Sequence, residues 1–99
     1  MDPIMLLTKK LRTQLPGIGT TQQSPDPTIL CKFFDPCGSW TWYATEFDGE
    51  DIFYGLVIGH YKEFGTFALS ELRTVHGKLG LPVERDLYFT PTSLAALYE

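Results

Sequence analysis

No run of apolar residues in this chain approaches the ~20 that a helix needs to cross a bilayer, and Met1 to Leu15 lacks the continuous apolar stretch of a secretory signal. A soluble, cytoplasmic protein with no membrane association is therefore expected. Cysteine is scarce: Cys31 and Cys37 are the only two, too few for a disulfide framework, so both are expected as reduced thiols. Positive charge is also in deficit. Twelve acidic against eight basic side chains give a net charge of -4, and such a molecule repels phosphate backbones unless its basic residues gather on one face. No internal repeat and no low-complexity segment is visible. The 99 residues suffice for one domain, spanning 1–99, and leave no room for a second. A composition 43% hydrophobic, 14% aromatic and 20% charged belongs to folded proteins rather than disordered ones.

What the chain does have is a block from Ile29 to Leu69 in which four apolar, aromatic segments are separated by breaks at Asp35–Ser39, Asp48–Asp51 and His60–Gly65. Thr28–Phe34, Trp40–Phe47, Ile52–Gly59 and Thr66–Leu69 read as strands, and their short connections favour an antiparallel meander. In the second, Trp40, Trp42 and Ala44 share one side while Thr41, Tyr43 and Thr45 share the other. The third is apolar on both sides and is expected at the centre. Aromatics thus appear on both sheet faces, more than one thin helical layer covers; a monomer and a homodimer hiding the surplus both remain open. Thr8 is the expected N-cap of a first helix through Leu15, with Leu7, Leu11 and Leu15 in one stripe. The composition of 17–27 marks a flexible loop. Ser70 is the expected N-cap of a helix through His76, ended by Gly77. Val83 to Phe89 suggests a last strand or extended edge segment, and Thr90 with Pro91 opens a closing helix through Tyr98. The fold class is α+β: a meander of four or five strands flanked by two or three short helices.

Glu46, Asp48, Glu50 and Asp51 form the densest charged group, at the second hairpin turn. They read as solvated carboxylates around an Asp-Gly turn, as ligands for a divalent cation although the register of a calcium loop is missing, or as a patch for a basic protein. Trp42 and Tyr43, with Trp40, Phe47, Phe53 and Tyr54, are core candidates; an exposed row of them makes either a protein hot spot or a stacking platform for single-stranded nucleic acid. Their acidic neighbours favour protein. Arg85, between Glu84 and Asp86, points with Val83 and Leu87 toward the sheet, where it must pair with Glu71 or Glu46 or else present itself to an anion. Lys9, Lys10 and Arg12 are the one tight basic group; with Lys32 and an aromatic face they define the alternative of direct nucleic-acid binding. Catalysis through Cys31 or Cys37 with His60 or His76 lacks a recognisable nucleophile context, and the same four residues lack the spacing of common zinc sites. No catalytic residue, metal or cofactor is assigned.

The words Leu6-Leu7-Thr8-Lys9, Lys32-Phe33-Phe34, Trp40-Thr41-Trp42-Tyr43, Asp48-Gly49, Gly55-Leu56-Val57, Phe67-Ala68-Leu69-Ser70-Glu71-Leu72 and Gly80-Leu81-Pro82-Val83-Glu84-Arg85-Asp86-Leu87 resemble a family of small bacterial proteins known only as a domain of unknown function. Cys31 and Cys37 lie outside these words. Its members are encoded largely on plasmids, phages and integrated elements, so the resemblance implies a role in mobile-element biology. In that context small acidic proteins inhibit host nucleases or defence complexes. The expected function is therefore a non-catalytic binding or inhibitory accessory protein, engaging a basic, nucleic-acid-handling protein through the acidic turn and adjoining aromatics.

Overall fold

The computed structural model of the chain describes residues 5–75 and 81–97. In chain order the elements are α1 (Lys9–Gln14), β1 (Thr28–Ile29), β2 (Cys31–Phe34), β3 (Thr41–Phe47), β4 (Ile52–Ile58), β5 (Lys62–Ala68), α2 (Leu69–Thr74), β6 (Glu84–Arg85), β7 (Thr92–Ser93) and α3 (Leu94–Leu97). β2 to β5 form the expected antiparallel meander, and β6 returns beside β2 to give the order β5-β4-β3-β2-β6. β1 and β7 pair in a separate two-stranded ribbon. The fold is α+β.

Alternation along the central strands sorts the side chains into two cores. On one face Phe33, Trp42, Ala44, Phe47, Phe53 and Phe67 meet leucines from both helical segments, among them Leu7, Leu15, Leu69 and Leu72. Phe53 is its hub, with ring centroids 4.6 Å from Phe47, 5.2 Å from Phe67 and 5.4 Å from Phe33. The other face buries Ile29, Tyr43 and Leu56 under Phe89, Leu94 and Leu97. The β1–β7 ribbon and α3 therefore cover aromatic surface on this face within the chain itself. In β3 the alternation is interrupted: Ala44 pairs with Gly55 but Glu46 with Tyr54, leaving Thr45 as a bulge. The extra residue reverses the parity, which brings Phe47 onto the Trp42 face and turns Glu46 to the opposite one.

Several boundaries differ from those expected. The first strand is split at Leu30, whose amide donates to the Ala44 carbonyl, so that its two halves join different sheets. β5 starts at Lys62, four residues before the expected Thr66, because Lys62 to Gly65 pair with Ile58 to Gly55 even though Phe64 is the one apolar side chain among them. Ser70 is not the N-cap of α2. That position belongs to Ala68, which has no side chain to cap with. The closing segment is β7 followed by α3, and Ser93 rather than Thr90 accepts the helical amide, that of Ala96. Of the expected last strand only Glu84 and Arg85 pair with β2. Thr8 does cap α1, its hydroxyl accepting the Leu11 amide at 3.1 Å. The expected roles of His76, Gly77 and Tyr98 lie outside the described residues. No helix among the described residues is long and apolar enough to cross a membrane.

Candidate functional site

The four acids around the second hairpin turn do not form one surface. Glu46 is fully buried. Its Oε1 accepts the Gly19 amide at 2.7 Å and the Gln22 side-chain amide at 3.0 Å, while Oε2 accepts the Thr21 amide at 2.6 Å and the Thr21 hydroxyl. Burial opposes its ionisation, but these hydrogen bonds outweigh it and hold the carboxyl below the usual range. Glu46 thus pins the 17–27 loop to the sheet and leaves the set of partner-facing acids. Asp48 closes the turn: its Oδ1 accepts the amides of Glu50, Asp51 and Ile52 at 2.8 to 3.0 Å, which lowers its pKa, and Gly49 supplies the required left-handed backbone at φ 91°. Asp51 reaches across to α2, accepting the Ser70 amide at 2.8 Å and hydroxyl at 2.7 Å, while its carbonyl takes the Leu69 amide. It is the cap that Ser70 was expected to be. Asp51→Ala should therefore destabilise the fold by about 1 kcal/mol, the usual worth of a helix cap, as read from a urea denaturation midpoint; an unchanged midpoint would remove this role.

One basic residue, Arg12, falls beside this turn rather than apart from it. Arg12 lies over the Phe47 ring at 5.5 Å and donates to the Gly49 carbonyl at 3.3 Å. Lys32 pairs with Asp86 at 3.8 Å and sits 5.8 Å from the Tyr43 ring. Two members of the basic set are thus engaged within the fold, and Lys9 and Lys10 remain exposed. Arg85 reaches neither Glu71 nor Glu46: its Nε donates to the Met5 carbonyl at 3.1 Å. Cys31 and Cys37 are free thiols. Burial pushes Cys31 up to about 12, with the Arg85 charge only partly offsetting it, so this thiol stays protonated at neutral pH. Among the described residues no group of three His, Cys, Asp or Glu side chains is placed to hold a metal ion.

Trp42 and Tyr43 face opposite sides of the sheet. Tyr43 belongs to the second core, tilted 53° against Phe89 at 6.1 Å. Trp42 is different, because its outer neighbour is Trp40, stacked on it with centroids 6.0 Å apart and left 38% exposed. His60 meets Trp40 edge-on at 5.7 Å, and the Trp40 ring lies over Gly59, where a Cβ would come within 2.4 Å of it. The two indoles line adjoining hollows of about 250 and 240 Å³. Glu71 of α2 lines both, Glu63 of β5 the first and Asp35 of the β2–β3 connection the second. No basic side chain is among the described residues lining either. Gly65, opposite Gly55 on β5, has nothing within 4 Å of where a Cβ would stand and leaves the first hollow open.

The aromatic residues and the acidic turn are thus separated along β3, since Trp42 and Phe47 are five residues, ~17 Å, apart in an extended strand. Carboxylates do adjoin the tryptophans, but they are Asp35, Glu63 and Glu71. The Trp-x-Trp spacing marks a shared side in the sequence; the three acids come from separate elements and carry no common signal. Residues 6–99 match the model of the family described as protein of unknown function (DUF2958), and the chain belongs to that family. No curated protein and no solved structure matched it.

Proposed function

We propose that this chain is a non-catalytic binding protein, an accessory of a mobile genetic element, which engages a basic protein through the Trp40–Trp42 groove. The observation that carries this reading is an exposed tryptophan held rigidly by stacking in a hollow edged with carboxylates. Tryptophan is enriched among the residues that dominate binding energy, and it contributes most when water is excluded from a pre-formed pocket around it. The carboxylates and the net charge of -4 steer a positively charged partner toward the groove and disfavour a phosphate backbone. The nucleic-acid alternative is further weakened because Arg12 and Lys32 already have partners inside the fold.

Gly65→Leu is the discriminating variant, since it fills the hollow from a position where a Cβ meets nothing within 4 Å. In affinity capture from nuclease-treated bacterial lysate, a protein retained by the wild type is expected to be lost with Gly65→Leu. Recovery that requires nucleic acid, and is the same for both forms, would sink the proposal and promote the alternative.

A further inference from the structure

Resting on that reading, we infer that the occupant of the groove is an extended, basic segment of the partner, laid as a sixth strand along β5 with an arginine or lysine side chain against the Trp40–Trp42 pair. β5 is an edge strand, paired on one side with β4. Among the described residues, no backbone hydrogen bond joins Glu63 to Phe67 to anything beyond that pairing. The outer edge of β5 from Glu63 to Phe67 offers amides and carbonyls to an added strand, which supplies affinity through the main chain and specificity through alternate side chains. Gly65 is the gap in that edge. A side chain from a strand beside β5 passes over it into the hollow shared by Glu63, Glu71 and Trp42.

The chemistry of the lining selects a cation. Indole faces attract ammonium and guanidinium groups, and the surrounding carboxylates add charge complementarity, with no basic side chain among the described residues lining either hollow. A second copy of this chain fits less well, because its β5 would bring a like-charged groove and another net charge of -4 to the same edge.

The two tryptophans of the chain are both in this groove, so intrinsic fluorescence reads it directly. The probes are a short peptide of alternating threonine and arginine, the same peptide with citrulline for arginine, and a third with its backbone amides methylated along one edge. A saturable emission change is expected with the first, weakened about tenfold or more with each of the others, and abolished by Gly65→Leu. Equal binding of the citrulline or methylated peptide overturns the inference, as does failure of the arginine peptide to bind. Dimerisation that Gly65→Leu abolishes overturns it too, assigning the edge to a second copy. If lysate capture still depends on Gly65 while the arginine preference is absent, this inference falls and the protein-binding reading stands; loss of that dependence removes the reading itself.

Discussion

Glu46→Ala is expected to cost about 3 kcal/mol and to lower the melting temperature by about 12 to 20 °C, because it strips the acceptor from two backbone amides, a hydroxyl and a side-chain amide at once. Among the described residues the loop is otherwise tied to the rest of the fold near its end, at Asp26 and Pro27, so a nonspecific protease should cut the variant within its first half well before the wild type. A melting temperature within about 2 °C of the wild type would refute the anchoring role. Glu46→Gln separates charge from shape, since it preserves the volume but turns an amide NH2, itself a donor, toward some of the donors. The pH dependence follows from the direction of the shift. A carboxyl whose pKa is lower folded than unfolded stabilises fully above the unfolded value, near 4.5, and that contribution disappears as the pH falls through the folded value. Acid should therefore weaken the wild type more steeply than Glu46→Gln below about pH 4.5. Asp48, shifted in the same direction, contributes to the slope that remains.

Gly55→Ala should do still more damage. A Cβ there would lie 1.8 Å from the Tyr43 carbonyl oxygen, 2.9 Å from its carbon and 3.1 Å from the Ala44 Cα. All three are backbone atoms of the neighbouring strand, so no rotamer change relieves the clash. β3 and β4 must separate beside the Thr45 bulge, in the middle of the sheet that builds both cores. The expected loss exceeds about 4 kcal/mol, which for a domain of this size means little soluble folded protein. Gly65→Ala is the control: it adds the same methyl one strand away in open space and should stay within about 1 kcal/mol of the wild type. Comparable stability of the two variants, measured by denaturant unfolding, would contradict the close approach of β3 and β4.

The central strands were legible because their side chains alternate with period two and are buried on both faces, as in Phe53 and Leu56. β5 was only half legible. Lys62, Glu63 and Phe64 are exposed at an edge and Gly65 follows them, and nothing in such a composition separates a strand from a loop. The bulge at Thr45 was hidden for another reason: parity along β3 changes only with respect to the register of β4. That one residue decided whether Glu46 joined the surface acids or left them. Asp48 and Asp51 show the same limit, since clustered charge is visible in a sequence while the amides that consume it are not. For the groove, the spacing of Trp40 and Trp42 announced a shared side. The acids around them sit on three elements that only the folded chain brings together.

The cover of the second face has a consequence for how the molecule assembles. Hairpin turns join the meander strands, so each pairing closes a short loop and loses little chain entropy. The ribbon is the opposite case: β1 meets β7, and beside them the Ala95 amide finds the Asp26 carboxylate across a separation of 69 residues. Such closures become favourable once the intervening chain is already compact. The face carrying Tyr43 and Leu56 is then the last to be sealed, and a nascent or partly melted chain presents that face first. Hydrogen exchange should be faster in the ribbon than in β3 and β4, making the second core the place where unfolding begins.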